Sequence, residues 1–237
     1  MTFYAHTPPP GSDRWHLLDE HLKEVARMAR QFADAFDAGD LAYWLGLWHD
    51  LGKFNPKFQE YLQACHADPL QRRKGPDHKA AGAKQVLAYP HVAMLALLIQ
   101  GHHGGLKSLS EFKAWLAEKG ADPATQDALV RARRHIRELD RPTSLGFPYY
   151  VLRDPAAAEL YLRLLFSTLV DADFLDTEYH FNPENSLQRT NITTLSNLWE
   201  RFESNQQQLS GHRSDTVSQA RHAIYQACVD AAANQPG

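Results

Sequence analysis

Apolar side chains recur along most of the chain at the three- and four-residue spacing of an α-helix. Residues 14–36 place them on one face, and residues 41–51 carry a second apolar stripe. Asn55 and Pro56 supply the cap and the first-turn proline of a third helix. No segment alternates apolar and polar residues as a convincing strand does. The pattern predicts an all-α fold with an irregular, proline-rich segment over residues 1–11.

Further segments have the same helical spacing, and Asp122-Pro123 and Asp154-Pro155 are a cap and a first-turn proline that start two of them. The predicted segments are a small-residue helix from residue 77, an apolar helix over residues 90–100, two helices within residues 110–140, a long helix from residue 155 to an acidic end near residue 175, and helices over residues 194–209 and 215–233. Residues 66–76 and 182–191 are predicted loops.

The size and composition of the chain are those of a globular protein. It has 237 residues, of which 43% are hydrophobic and 11% aromatic, enough for a sizeable core. We expect a single domain over residues 1–237, with a core of about residues 12–180 and C-terminal helices over about residues 194–233.

Cysteine usage and hydropathy bear on the compartment. Cys65 and Cys228 are the only cysteines and have no ligand-like spacing, so neither a disulfide framework nor a cysteine zinc site is supported. The N-terminus lacks the layout of a signal peptide, and the longest apolar run, residues 92–99, falls short of the ~20 residues that span a bilayer. We expect a cytoplasmic protein without membrane association.

Thirteen histidines are more than a chain of this length usually carries. His49 and Asp50 adjoin at the end of an apolar helix, where burial is costly unless the polar groups bind something, and a divalent metal ion suits such a pair. Other candidate imidazoles lie on an inner helix face or beside small residues and glycines, at His21, His78, His102 and His103. The alternative for His21 is a core histidine that is hydrogen-bonded to backbone. The alternative for His102 and His103 is a solvated loop.

Five imidazoles and two carboxylates are more than one metal ion uses, whereas two octahedral ions that share a carboxylate and a water can use them. Such a pair, about 3.5 to 4 Å apart, is the standard device for hydrolysing phosphate esters. The nitrogen-rich set favours Mn, Ni, Co or Fe, with Mg as an alternative. Asp50 and Lys53 are the candidate catalytic residues, because Lys53 is placed to neutralise charge that develops on the phosphate. The alternative for Lys53 is a favourable interaction with a helix C-terminus.

The late acidic ligand has two candidates on one predicted helix. Two residues apart on a helix are about 200° apart, so Asp171 and Asp173 cannot both face inward. Asp173 lies one turn after Leu169 on the apolar side, whereas Asp171 continues a polar row. We predict Asp173 as the ligand and keep Asp171 as the alternative.

An ordered set of motifs resembles a known family. The set is His21, WHDLGK at 48–53, DHKAAGA at 77–83, GHHGG at 101–105 and LVDADFLDTE at 169–178. It resembles the HD-type nuclease of type I CRISPR systems, and the similarity runs over residues 6–178. In that family the nuclease is a separate protein or the N-terminal part of a helicase-nuclease that the Cascade complex recruits. The resemblance implies a dinuclear site with Lys53 near the phosphate and with the ligands His21, His49, Asp50, His78, His102, His103 and either Asp173 or Asp171.

The resemblance also implies an activity and partners. The activity is metal-dependent DNA cleavage in CRISPR interference, and the partners are a Cascade-type surveillance complex and a helicase domain in cis or in trans. The sequence lacks the G-x-x-x-x-G-K-[ST] nucleotide loop of a helicase, so it resembles a stand-alone nuclease or an excised nuclease domain. A site at helix ends is open to a flexible strand but not to a stiff duplex, so we expect single-stranded DNA as the substrate.

Charge is the main objection to a DNA substrate, because a net charge of -3 gives no overall basic footprint. Locally, a basic segment flanks His78, and we assign it a substrate-binding role against the alternative of a solvated helix face. Its residues are Arg72, Arg73, Lys74 and Lys79. A second strip of arginines lies over residues 131–141.

Two other functions fit the same residues. A nucleotide phosphohydrolase acting on a dNTP or a cyclic nucleotide needs the same metals and a closed pocket for one base. A non-enzymatic helical adaptor needs only a structural metal site, which is fully ligated and leaves no open position.

Overall fold

The computed structural model describes residues 1–71, 74–142, 145–189, 193–210 and 215–232. The fold is mostly helical, which confirms the predicted fold class. In chain order the helices are α1 (Leu18–Ala33), α2 (Gly39–Trp48), α3 (Pro56–Ala67), α4 (Ala80–Leu87), α5 (Leu95–Gly101), α6 (Leu109–Gly120), α7 (Pro123–His135), α8 (Tyr149–Arg153), α9 (Pro155–Phe181), α10 (Pro183–Gln188), α11 (Leu195–Ser210) and α12 (Thr216–Ala232). Short 3-10 turns lie at Asp34–Phe36, Leu51–Phe54 and Pro90–Val92.

The N-terminal segment is a small antiparallel hairpin rather than irregular chain. Strand β1 (Tyr4–His6) pairs with strand β2 (His16–Leu17), and Gly11 between them has φ 75°, a backbone conformation that favours glycine. The Leu18 N–H donates to the Phe3 carbonyl at 2.9 Å. The prediction of a helix from residue 14 is therefore wrong at its start, because the hairpin uses the backbone that precedes Leu18.

Other differences from the sequence prediction concern helix ends. Helix α2 ends at Trp48 and not at residue 51, because Asp50 leaves the helical conformation (φ -114°, ψ 23°). The predicted helix over residues 90–100 divides into a 3-10 turn and α5. Part of the predicted loop at 182–191 is α10, and α8 was not predicted; both helices follow a proline or begin with one.

Three of the capping residues read from the sequence act as caps. Asn55, Asp122 and Asp154 each accept a hydrogen bond from a backbone N–H two residues later, at 2.9 Å. Asp77 accepts from the N–H groups of Lys79 and Ala80, where α4 begins, at 3.1 and 2.9 Å. Local capping chemistry therefore accounts for where α3, α7 and α9 begin.

The chain forms two compact units, residues 1–186 and residues 187–237. In the first unit α1 packs against α2 and α9 around a fully buried core. In the second unit Phe202 of α11 contacts Tyr225 of α12, with ring centroids 5.9 Å apart. The single domain over residues 1–237 stays a prediction. No helix among the described residues is long and apolar enough to cross a bilayer.

Two glycines let the segment that follows α2 approach α4 closely. A Cβ atom at Gly82 would lie 2.0 Å from the Trp48 carbonyl oxygen, and one at Gly52 would lie 2.2 Å from the carbonyl oxygen of His78. The Gly52 N–H donates to that His78 carbonyl at 3.0 Å. Only glycine permits these backbone contacts, which hold His49 and Asp50 beside His78.

Candidate metal centre

Five separate segments of the first unit direct histidine and aspartate side chains to one place. They are α1, the turn after α2, the residue pair before α4, the loop after α5 and the C-terminal half of α9. The side chains that meet are His21, His49, Asp50, His78, His102, His103 and Asp173. The structure therefore brings together all the residues predicted as ligands except the alternative, Asp171, which is exposed on α9.

The carboxylate of Asp50 lies at the centre of this group and is fully buried. Its Oδ1 atom is 3.5 Å from His102 Nε2 and 3.7 Å from His78 Nε2. Its Oδ2 atom is 3.4 Å from His49 Nε2 and 3.7 Å from His21 Nε2. Each oxygen of one carboxylate thus faces two imidazole nitrogens, which is the arrangement of a bridging ligand.

Two sets of ligand atoms can be separated around Asp50. Asp50 forms one set with His78, His102 and His103, and the other set is His21, His49 and Asp173; within each set the ligand atoms lie within 4.8 Å of one another. Asp173 Oδ1 is 3.4 Å from His21 Nε2 and 3.7 Å from His49 Nε2. Each set offers the nitrogen and oxygen atoms that could hold a metal ion.

Hydrogen bonds fix the orientation of three of the imidazoles. The Nδ1–H groups of His49 and His102 donate to the Gly46 and Ile99 carbonyls at 2.6 and 2.7 Å. His21 Nδ1 is 2.6 Å from Asp176 Oδ2. Since a carbonyl or carboxylate only accepts, Nδ1 carries a proton in each of these rings, so Nε2 is the atom that can bind a metal ion at the centre.

Buried polar atoms without partners test whether a metal fits here. Among the described residues, seven buried side-chain atoms of this group form no hydrogen bond. They are His21 Nε2, His49 Nε2, Asp50 Oδ1, Asp50 Oδ2, His78 Nδ1, His78 Nε2 and His102 Nε2. Each unpaired group costs about 1–3 kcal/mol. Hydrogen bonds to backbone carbonyls satisfy the Nδ1 atoms of His49 and His102, but the atoms in this set have no such partner. A set of unpaired nitrogen and oxygen atoms fits divalent cations.

The carboxylates of the centre favour positive charge at the position of His49. Burial disfavours a charged imidazole there, but the carboxylates of Asp50 and Asp173 outweigh it and raise the pKa of His49 to about 10. Burial lowers the pKa of His78 to about 4. This ring is neutral near pH 7, the state in which imidazole binds metal.

Lys53 lies inside the centre. Its Nζ atom is 2.6 Å from Asp50 Oδ2, a close ion pair whose alignment is not that of a hydrogen bond, and it donates to the Ala5 carbonyl at 3.2 Å. The positive charge of Lys53 holds the pKa of Asp50 well below its ordinary value, against the opposing effect of burial. A buried ammonium group next to Asp50 is unlike a solvated lysine at a helix end. Its catalytic role stays a prediction.

Four residues of this region were missed by sequence reasoning. His6 and His16 face each other across the hairpin, with 3.1 Å between their Nδ1 atoms, and the His16 ring stacks on His180 at 4.5 Å. His16 Nε2 is 3.3 Å from Asp176 Oδ2. Asp176 follows Asp173 by three residues and so shares its helix face, a signal that was available. The hairpin had no signal, because strands of two or three residues show no periodicity.

The predicted substrate residues are described only in part. Lys74 and Lys79 line a cavity that His78 also borders. Arg72 and Arg73 lie outside the described residues. In the second basic strip, Arg131 pairs with Asp127 at 2.8 Å and Arg133 with Asp140 at 3.0 Å. These ion pairs reduce the positive charge that the strip can offer to DNA.

Substitution of Asp176 tests its position behind His21. Asp176→Ala removes the acceptor that keeps His21 Nε2 turned toward Asp50, so we expect divalent-metal affinity to fall by roughly 10–100-fold. Calorimetric titration with Mn²⁺ measures this, and circular dichroism checks the fold. Asp171→Ala, an exposed carboxylate on the same helix, is the matched control and should bind as the wild type does. Equal affinities for all three proteins would show that Asp176 has no positioning role.

Comparison with known proteins agrees with this geometry. The HD domain family model matches residues 18–140, more than half of the chain. A solved structure described as a CRISPR-associated protein is similar at 21% identity and a TM-score of 0.49, over 75% of this chain and 23% of that chain. The chain therefore spans less than a quarter of that protein, and the match carries no functional argument. No curated protein matches. On the family match, the chain belongs to the HD domain family.

Proposed function

We propose that this HD-domain protein is a metal-dependent phosphohydrolase that cuts single-stranded DNA internally. The observation that carries the proposal is the fully buried Asp50 carboxylate, which faces four imidazole Nε2 atoms at 3.4 to 3.7 Å. A buried carboxylate surrounded by lone pairs is unfavourable in itself and becomes favourable with divalent cations.

The proposed ligands divide into the two sets already described. His21, His49 and Asp173 would hold one ion, and His78, His102 and His103 the other, with Asp50 shared between them. Imidazole-rich ligation favours Mn, Ni, Co or Fe, with Mg as an alternative. Divalent ions in such a pair supply Lewis acidity toward a phosphate ester and ease deprotonation of water. Asp173 rather than Asp171 is the proposed acid, because Asp171 is exposed.

Protein groups around these ligands have separate proposed roles. Lys53 would stabilise negative charge that develops on the phosphate, and the Ala5 carbonyl would hold its ammonium group in place. His21, His49 and His102 are buried and exclude water from one side. His78 is half-buried and His103 is exposed, so substrate would enter on their side.

Single-stranded DNA is the proposed substrate because the entrance is formed partly by a loop. His103 is followed by Gly104 and Gly105, and apart from the adjoining residues no atom of the described chain lies within 4 Å of a Cβ built at either glycine. A flexible strand can bring a phosphate to this entrance, whereas a stiff duplex presents its phosphates on a convex surface. Sequence preference should be weak, because metals and lysine contact phosphate and not bases.

The proposed partners rest on the motif resemblance. A helicase, in cis or in trans, would supply the strand, and a Cascade-type complex would direct both to invading DNA. The motifs at 48–53, 77–83, 101–105 and 169–178 support this, because their order is more specific than a histidine-aspartate pair alone.

A second candidate is hydrolysis of free nucleotides. The cavity beside His78 has a volume of about 550 Å³, within the range of about 300–1,000 Å³ for small-ligand pockets. A dNTP or a cyclic nucleotide would fit such a volume. The same reaction mixture distinguishes the two candidates if it contains both DNA and nucleotides.

Circular single-stranded DNA gives the direct test of the proposed function. Because only an endonuclease can open a circle, we expect the Mn²⁺-loaded protein to linearise it, with little action on duplex and none of note on dNTPs. His49→Ala should abolish cleavage, while the exposed His91→Ala is a matched histidine control and should cleave normally. An intact circle with rapid phosphate release from a dNTP would favour the nucleotide hydrolase instead.

Lys53 can be tested separately from the ligands. Lys53→Met keeps the apolar length of the side chain but removes its charge, so we expect DNA cleavage to fall on the order of 10²-fold or more. Metal content should stay within about twofold, since no ligand is lost. The exposed Lys23→Met is the matched control. Full activity of Lys53→Met, or loss of its metal, would rule out a role at the phosphate.

A further inference from the structure

A cavity of about 550 Å³ adjoins the candidate metal centre on the side of His78. We call it the lysine cavity, because its wall includes Lys57, Lys74, Lys79 and Lys119. These lysines come from α3, the segment before α4 and α6, so the fold and not one local sequence collects them. The earlier substrate assignment from sequence included only two of the four.

The lysine cavity and the metal centre share one side chain. His78 lines the cavity, and its Nε2 atom is 3.7 Å from Asp50 Oδ1. Gly52 also lines the cavity, and its N–H donates to the His78 carbonyl at 3.0 Å, which fixes the backbone at this position. A molecule in the cavity would therefore contact the imidazole that faces the central carboxylate.

The acidic residues on the cavity wall are engaged in capping. Asp77 Oδ1 accepts from two backbone N–H groups, and Asp77 Oδ2 accepts from Trp115 Nε1 at 3.0 Å. Asp122 caps α7 by accepting from a backbone N–H at 2.9 Å. Within the described ranges, Lys57, Lys74 and Lys79 form no ion pair, so their positive charges are available to an anionic ligand. Lys119 pairs with Glu118 at 2.7 Å, but these side chains are 40% and 70% exposed, so the pair contributes little and leaves the ammonium group accessible.

Trp115 gives the lysine cavity an aromatic wall held in a fixed orientation. Its indole is anchored through Nε1 to Asp77 and packs near Phe112, with ring centroids 5.9 Å apart. Lys79 Nζ lies 6.0 Å from the indole centroid. Fixed aromatic rings beside ammonium groups are the usual means of binding single-stranded nucleic acid, since bases stack on the ring and phosphates approach the cations.

We propose that the lysine cavity binds the nucleotide unit next to the scissile phosphate, with its base against Trp115 and its phosphates among the four lysines. The inference rests on the proposed endonuclease function and assigns the path of the strand beyond His78. The volume of about 550 Å³ suits one nucleotide unit rather than a protein segment or a duplex. Binding here explains how a protein with a net charge of -3 holds DNA.

The test compares two substrates in one charge-reversed variant. Lys57→Glu combined with Lys119→Glu changes the cavity without touching a proposed metal ligand. Lys107→Glu combined with Lys113→Glu changes the charge equally at exposed positions outside the cavity and is the matched control. Bis-p-nitrophenyl phosphate reaches the metal centre but is too small to fill the cavity as well, so it reports on the centre alone.

We expect the cavity variant to lose at least about tenfold in kcat/KM on a single-stranded oligonucleotide while hydrolysing the small diester within about twofold of wild type. The control should keep both activities within about twofold. Oligonucleotide binding by the metal-free protein should show a salt slope smaller by about 1.4 in the cavity variant, since each lost phosphate contact contributes about 0.7.

The possible failures are distinguishable. If the wild type cuts DNA and the cavity variant cuts it equally well, or no worse than the control, the cavity assignment is overturned and the endonuclease function stands. If the wild type hydrolyses the small diester but cuts no DNA, both the cavity assignment and the endonuclease function are overturned.

Discussion

The carboxylate of Asp50 has no access to solvent, and its place inside the protein depends on the groups around it. Burying an ionised carboxylate costs several kcal/mol unless charges and donors compensate it. Lys53 supplies one positive charge at 2.6 Å. The four imidazole Nε2 atoms around the two oxygens come from separate segments and form no hydrogen bond with them, so divalent cations would supply the remaining compensation. Because these segments must all reach one carboxylate, the ends of α2 and α5 and the inner faces of α1 and α9 are fixed relative to one another.

Close backbone packing makes this convergence possible. Gly82 and Gly52 lie where any Cβ would overlap a carbonyl oxygen, of Trp48 and of His78 respectively. Gly82 in α4 and Gly52 in the turn after α2 therefore contribute to the site, although neither is a proposed ligand. The hairpin adds the Ala5 carbonyl, which holds Lys53, and Asp176 adds the acceptor behind His21. The hairpin and Asp176 therefore orient side chains that the sequence motifs identify as candidate site residues.

Much of the fold and of the metal centre could be predicted from the sequence, because the features that indicate them are local. Helix starts at Asn55, Asp122 and Asp154 follow from capping chemistry within three residues, and helical geometry alone put Asp173 on the inner face of α9. The hairpin could not be predicted, because its strands are too short to show a period and are set by contacts with distant residues. The lysine cavity escaped prediction for a similar reason, since its four lysines meet only in the folded chain.

Manganese titration followed by electron paramagnetic resonance tests most directly whether one buried carboxylate joins two metal ions. Asp50 lies between the two sets of ligand atoms, so we expect two Mn²⁺ ions per chain and an exchange-coupled signal. Asp50→Asn should weaken both the binding and the coupling, because a neutral amide bridges poorly. One ion per chain at saturation, or two ions with uncoupled spectra, would contradict a shared Asp50 carboxylate.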